Sequence, residues 1–322
     1  MNTTKITNDV QAPVCSVVIP TKNGGDLFRK VLDALTQQTL WDRIELIVID
    51  SGSQDDTVAL AKQVGAKVIE ILPNEFNHGA TRDYGISLSS SEYVILTVQD
   101  AIPVDTNLLE VLLSSLEDSA VGGVYARQIP QLDADVLTKR NLNGWLTGRT
   151  QREVRFIPYE GWYETLPPME EYLFCNFDNV CSAIKKSVWQ QESFGKVDFG
   201  EDIDWAKRVL KRGYHIVYEP QATVIHSHNR SMSYEYKRTY VCHRKLYSMF
   251  GLHLVPNLKG IWRSWYYATK IDINYILYNE HRRVQKMQML LKAPILNLLS
   301  VLAQYRAVQD EIQDVSHSVK GV

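Results

Sequence analysis

Short apolar runs and helix-period stretches alternate along the first 130 residues. Cys15-Ser-Val-Val-Ile is apolar and β-branched and predicts a strand ending at Pro20. Asp26 can cap a helix that carries Leu27, Val31 and Leu35 on one face. Ile44-Glu-Leu-Ile-Val-Ile is the next strand. Ser53 or Asp55 can then cap a helix through Val58, Ala61 and Val64, with Gly65 to end it. Val68 to Ile71 reads as strand, Ala80 to Leu88 as helix, and Asp105 opens a helix through Leu108, Leu109, Val111 and Leu112. Tyr93 to Val98 is apolar throughout, as a strand covered on both faces should be. Residues 131–170 lose the rhythm, are rich in charge, Trp, Tyr and Pro, and read as a long excursion. Strand resumes at Asn179 to Ile184, helix at Ile203 to Arg212 closed by Gly213, and short strands at His215 to Tyr218 and Thr223 to Ile225. From Tyr234 onward the pattern is helical.

Strands separated by helices of this length predict an α/β fold with a mostly parallel sheet between two helical layers. Ligands of such sheets sit beyond the carboxyl ends of the strands, so the polar residues there carry the functional question. With 322 residues, 45% apolar and 22% charged, the chain can build a sizeable core and is not a disordered one. Its natural division is residues 1–230, bearing the strands, and residues 231–322, bearing helices. The four cysteines form no C-x-x-C pair, and Cys15 and Cys181 read as buried free thiols, which fits a reducing, cytoplasmic setting. Met1 to Ala12 is polar without an apolar h-region, so no secretory signal is expected there. No run reaches the ~18 apolar residues that span a bilayer; Ala293 to Tyr305 comes nearest and contains Asn297 and Gln304. The net charge of −2 hides an asymmetry: residues 230–322 hold 14 Lys+Arg against 6 Asp+Glu, and residues 1–229 hold 21 against 31. Different partners for the two parts, or simply two solvated faces, would account for it.

Taken singly, each polar constellation has a plain structural reading beside a chemical one. Asp50, followed by Ser51-Gly52-Ser53, can accept from a base or ribose or can serve as turn chemistry. Gln99-Asp100-Ala101 ends an apolar strand, where a carboxylate can bind Mg²⁺ or Mn²⁺ or merely sit in a turn. Glu201-Asp202 opens a helix after Gly200, which suits a general base but also suits the helix dipole. His226-Ser227-His228 places two imidazoles on one side of a continuing strand, for a metal or for solvent. Arg82, near a helix start in Phe76-Asn-His-Gly-Ala-Thr-Arg, suits a diphosphate or a structural ion pair.

Their order along the chain is more specific than any one of them. Val-Val-Ile-Pro-Thr-Lys-Asn at 17–23, Ile-Val-Ile-Asp-Ser-Gly-Ser at 47–53, Asn77 with Gly79 and Arg82, Gln99-Asp100, and Gly-Glu-Asp at 200–202 resemble family 2 of the inverting glycosyltransferases over residues 15–228. Gln-Asp-Ala-Ile-Pro at 99–103, Phe-Asp-Asn-Val-Cys-Ser-Ala-Ile at 177–184 and His-Ser-His are similar to its bacterial rhamnosyltransferase branch. The resemblance implies a GT-A (Rossmann-like) fold with a C-terminal helical extension, a nucleotide-sugar donor such as dTDP-L-rhamnose, and a saccharide or lipid-linked oligosaccharide acceptor. It implies that Pro20, Thr21, Asn23, Asp50, Ser51, Gly79, Arg82, Gln99 and Asp100 face the donor and that Asp100, with His226 or His228, holds Mg²⁺ or Mn²⁺. Asp202 would be the base, with Glu201, Trp205 and Asn179 on the acceptor side. The chain departs from the family in having one acid at 99–101 where a D-x-D-like pair is usual.

In the tail, Trp262, Trp265, Tyr266 and Tyr267 lie among Lys259, Arg263 and Lys270, followed by Leu290, Leu291, Ile295, Leu298, Leu299 and Leu302. These helices either pack on the catalytic part or a sister subunit in a homo-oligomer, or dock on anionic lipid at the inner face of the plasma membrane. Nothing points to nucleic acid. An oxidoreductase lacks its G-x-G-x-x-G, a nucleotidyltransferase its Gly-rich loop at residues 20–25, and a carbohydrate-binding module leaves the strand-end acids without a role.

Overall fold

The computed structural model describes residues 12–197, 199–229 and 231–314. Its first half is β1 (Cys15–Thr21), α1 (Gly25–Thr36), β2 (Ile44–Asp50), α2 (Thr57–Gln63), β3 (Lys67–Glu70), α3 (His78–Ser87), β4 (Tyr93–Thr97), β5 (Ile102–Pro103), α4 (Leu108–Leu116) and β6 (Val121–Ile129). There follow α5 (Val136–Gly144), β7 (Glu153–Arg155), α6 (Pro168–Phe174), β8 (Cys181–Lys185), α7 (Lys186–Gln191), α8 (Glu201–Lys211) and β9 (His215–Ile225). Three long helices close the chain: α9 (Met232–Phe250), α10 (Leu258–Asn279) and α11 (Arg283–Ile312).

The strands form one sheet in the order β3-β2-β1-β4-β8-β6-β9-β5, with β7 also paired to β9. Alternate residues of β1 serve opposite layers: Val17 and Ile19 pack with Phe28, Leu32 and Leu112, whereas Val18 packs with Ile86, Trp205 and Val209. Both faces are therefore covered, as the continuous apolar runs require. The mostly parallel sheet expected from the pattern is present, and shorter antiparallel pairings make it mixed. β1, β2, β3 and β4 pair in parallel, as do β6 and β9, but β8 enters antiparallel between β4 and β6, and β5 and β7 run antiparallel to β9.

Other expectations change in detail. Residues 131–170 are not a bare loop, since they hold α5, β7 and short 3-10 turns. The two short strands expected at 215–225 are one strand, whose register against β6 shifts between Ala126 and Arg127. β6 escaped the sequence pattern because Gly122 and Gly123 replace apolar side chains in its buried start; a Cβ on Gly123 would lie 2.9 Å from the Trp205 ring. Helix α1 is preceded by Gly24 rather than capped by Asp26, and α2 starts beyond Ser53 and Asp55. Cys15 and Cys181 are buried free thiols, and burial pushes both up to about 12, so neither is a nucleophile at neutral pH.

The C-terminal helices pack on the sheet domain through α9, whose Leu246 and Phe250 join the Trp205 layer. Val136 and Leu137 of α5 meet Ile276 of α10 and Met289 and Ala293 of α11. The hydroxyl of Tyr240 donates to Asp310 at 2.8 Å, which ties α9 to α11.

Candidate active site

Three loops at the carboxyl ends of β1, β2 and β4 are knitted together by side chains. Asp50 is buried and takes four hydrogen bonds: from Thr21 Oγ1 at 3.0 Å, Ser53 Oγ at 2.5 Å, and the backbone N–H groups of Gly52 at 3.0 Å and Ser53 at 2.8 Å. A carboxylate offers about four acceptor positions, so Asp50 shapes the turn with all of them. Gly52 takes φ +87°, which a side chain would resist. Ser51 Oγ donates to the Thr21 carbonyl at 3.1 Å. Asn23 accepts from Gln54 N at 2.8 Å while its own N–H donates to Ser53 Oγ at 2.8 Å. Gln99 closes the third side by a reciprocal pair with the backbone of Lys22, at 2.8 and 3.1 Å. Pro20 and Thr21 end β1 on the same rim.

Across the rim, Asp100, His226 and His228 converge, with one donor atom from each within 4.8 Å of the others. His228 Nε2 lies 3.2 Å from Asp100 Oδ2 and 3.2 Å from His226 Nε2, and His226 Nε2 lies 3.7 Å from Asp100 Oδ1. Gln128 Nε2 donates to Asp178 Oδ2 at 2.7 Å, which turns its Oε1 toward His226 Nδ1 at 3.0 Å. In the tautomer with its proton on Nδ1, His226 donates to Gln128 Oε1 and turns its Nε2 lone pair to the cluster. Two imidazole nitrogens and a carboxylate aimed at one point, with a partner fixing the tautomer from behind, fit a divalent cation such as Mn²⁺ or Mg²⁺. Sequence reasoning named the three ligands and missed Gln128 and Asp178, although Asp178 lies within the Phe177-Asp-Asn-Val segment it had noted.

The acids at the start of α8 have unlike surroundings. Glu201 is buried and paired to Arg82 Nη1 at 2.9 Å, and Asn179 Nδ2 reaches the same oxygen at 3.5 Å. Asp202 is half-buried and accepts a hydrogen bond from Ile203 N at 2.8 Å. Burial first, then the charges of Glu201 and Asp178, raise its pKa well above the ordinary carboxylate range. Asp178 is raised too, chiefly by burial. Helix α3 holds this corner in place. Asp83 accepts from Trp189 Nε1 at 2.6 Å, Phe194 N at 3.0 Å and Gly195 N at 2.7 Å. A Cβ on Gly79 would stand 2.1 Å from the Gly195 carbonyl oxygen.

These contacts relocate several residues assigned to ligands. Arg82 is turned into its ion pair, and Gly79 is buried against backbone, so the segment at 76–83 buttresses α8 instead of facing a diphosphate. Trp205 is 0% exposed, stacked near Phe194 and donating to the Glu192 carbonyl at 2.7 Å, so it cannot touch an acceptor. Glu201 and Asn179 are likewise interior. In their place stands a cavity of about 520 Å³ between α5, α9, α11 and the His226–His228 loop, lined by Trp145, Tyr172, Arg238, Lys292 and Asn297 among others. Burial raises the Tyr172 hydroxyl and the Cys242 thiol on its wall, and the charge of Asp202 adds to both.

A mixed α/β sheet with a cation-type donor set and an unneutralised acid at one rim is that of a GT-A glycosyltransferase. Residues 16–191 match Glycosyl transferase family 2, and the chain belongs to that family. It is 31% identical over 227 residues to the O-antigen chain rhamnosyltransferase RfbN of Salmonella typhimurium, covering 69% of each chain. To the O-antigen chain rhamnosyltransferase WbaN of Salmonella anatum it is 32% identical, covering 70% of each. The mannosyltransferase PcManGT from Pyrobaculum calidifontis, solved with GDP-Man and Mn²⁺, shares the fold with a TM-score of 0.60 over 95% of this chain and 89% of its own, at 16% identity.

Proposed function

We propose that the protein is an inverting transferase that moves L-rhamnose from dTDP-L-rhamnose to the saccharide of a lipid-linked acceptor in bacterial surface polysaccharide (O-antigen or capsule) synthesis. The observation that carries the reaction is the convergence of Asp100, His226 and His228 on one point, backed by Gln128 and Asp178. The two rhamnosyltransferase relatives support the sugar and the pathway.

Asp202 takes the proton of the acceptor hydroxyl as that oxygen bonds to the anomeric carbon. The bond from that carbon to the diphosphate breaks in the same displacement, and dTDP leaves with the electron pair. Raising the carboxylate's pKa makes its ionised form a stronger base. Glu201, neutralised by Arg82, leaves Asp202 as the base of the pair. A bound Mg²⁺ or Mn²⁺ on Asp100, His226 and His228 would offset the charge of the leaving diphosphate. Pro20, Thr21, Asn23 and Ser51, in the loops set by Asp50 and Gln99, line the nucleoside side. Residues 1–230 carry this chemistry, and residues 231–322 form the helical region.

Nucleoside diphosphates and nucleotide sugars with and without Mn²⁺ should be screened by thermal shift, since a ligand of the folded state raises the melting point. dTDP or dTDP-rhamnose should stabilise the protein only with metal. UDP or GDP compounds doing so instead would replace rhamnose, and no response to any nucleotide would end the transferase reading.

The helical region also supports a peripheral, cytoplasmic-face location. Trp262 is 63% exposed, Tyr278 80% and Leu291 73%, with Ile295 and Met287 beside the last and Lys259, Arg263, Lys270 and Arg283 exposed around them. Helix α11 is long and apolar enough to cross a membrane by length and composition, which qualifies the expectation that no segment is. Its Lys292, Asn297 and Ser300 line the polar cavity, so we place it along the surface of an anionic bilayer. Basic rims on both copies would repel in a two-fold dimer built on this face. Leu291→Asp with Ile295→Asp should abolish co-flotation with phosphatidylglycerol vesicles, and undiminished flotation would contradict this placement.

A further inference from the structure

We infer that the cavity between α5, α9 and α11 is an acceptor subsite that reads a phosphate attached to the acceptor sugar, with Lys292 and Arg238 as its anion contacts. This rests on the transferase reading and goes further by naming what the acceptor must carry.

Charge accounting inside the cavity is the first support. Three acids line it, and each is engaged. Asp272 is held by Arg140 at 2.6 Å and by Asn297 Nδ2 at 2.8 Å. Asp135 caps α5 by accepting from Leu137 N at 3.1 Å and Thr138 N at 2.8 Å. Glu235 also has a partner. Arg238 and Lys292 line the same cavity from α9 and α11, and neither has an ion-pair partner among the described residues. Two cations on the lining of one cavity whose acids are already engaged call for an anionic ligand. A guanidinium fork and a flexible ammonium together suit the several oxygens of a phosphate or diphosphate.

The rest of the lining suits a sugar. Trp145 and Tyr172 stand 6.1 Å apart with a 35° tilt at one wall, and Asn141 and Asn297 add amides. A volume of about 520 Å³ holds one or two hexoses with a phosphate. His226 and His228 line the same cavity, so a sugar held here lies beside the cluster they form with Asp100. The phosphate then lies toward α11, whose outer face carries the exposed Leu291 and Ile295 where an attached alkyl chain would continue.

The test is an NMR titration in EDTA, which removes the cation that would otherwise draw phosphate to Asp100, using glucose 1-phosphate, methyl glucuronide and methyl glucoside. Wild type should bind glucose 1-phosphate about tenfold to a hundredfold tighter than methyl glucoside, the worth of charge-assisted hydrogen bonds. Lys292→Ala with Arg238→Ala should bring the two ligands to equal affinity, while Lys292→Arg alone keeps the preference. Metal-dependent stabilisation by dTDP-rhamnose should persist in all variants. Equal wild-type affinity for phosphate and glucoside overturns the inference, as does a preference that survives the double variant. Glucuronide binding as tightly as the phosphate would assign the site to a carboxylate instead. Should the double variant fail to fold, the wild-type ranking still decides. A wild type that binds glucose 1-phosphate but no nucleotide would sink the transferase reading while leaving an anionic-sugar site.

Discussion

Two carboxylates, Asp50 and Asp202, stand on opposite sides of the same rim and have opposite surroundings. Asp50 receives four hydrogen bonds, including two hydroxyls and two backbone N–H groups. Asp202 accepts from Ile203 N and feels the charges of Glu201 and Asp178. The first is satisfied and holds a loop. The second has its pKa raised by burial and like charges, which is the condition of a group that takes protons. Position at a strand or helix end does not distinguish such roles, whereas the number of donors and like charges around the group does.

The comparison is broken most severely by removing the uneven member. Asp202→Asn should lower kcat by about 10² to 10⁴, the usual worth of a general base, with donor affinity unchanged. Wild-type activity should fall as pH drops through the raised pKa of Asp202, so the acid limb of the kcat profile lies above the ordinary carboxylate range. Stability runs the other way. Because the folded pKa is the higher one, the protein loses stability as pH rises from the unfolded value of 3.8 through the folded one. Asp202→Asn should flatten that loss in urea melts, and an unaltered pH slope would mean that Asp202 is not the strained acid.

Next in size is the buttress. Arg82→Met strands Glu201 as a buried charge and should cost about 3–5 kcal/mol in denaturant unfolding. Adding Glu201→Gln should return most of it, because the stranded charge, and not the lost contact, is the source of the cost. A single variant as stable as wild type would show that water reaches Glu201.

The smallest effect falls on the satisfied side. Asp50→Asn keeps the shape but turns an N–H₂ toward donors, and should cost about 1–3 kcal/mol. Its kinetic signature should be a raised donor KM with kcat little changed. A large fall in kcat would give Asp50 a part in the chemistry that its hydrogen bonds do not suggest.

Much of this arrangement was legible in the residues. The strands from Cys15 to Thr97 and the helical character beyond Tyr234 follow from apolar runs and helical period, while the family resemblance pointed to Asp100 with His226 or His228. The strand at Val121–Ile129 was not, because its glycines make room for Trp205 and leave no apolar signal of their own. Arg82 was open to two readings, and only the approach of Glu201, 119 positions away, selects the ion pair. Trp205 was expected on the acceptor side, yet a helix starting at Glu201 turns it into the core.

What the sequence determined by itself is local: which segments are apolar enough to be buried, which turns need glycine, and which residue types are able to bind a cation or take a proton. Tertiary structure decided which of those groups are satisfied. The antiparallel insertion of β8 between β4 and β6 brings Asp178 to Gln128, and through it to His226. The packing of α3 on the turn before α8 neutralises Glu201 and leaves Asp202 strained. The cavity exists only where α5 and the two outer helices meet. Charge and hydrogen bonding act over a few ångströms of space regardless of distance along the chain, so pKa, pairing and exposure are settled by who arrives beside whom.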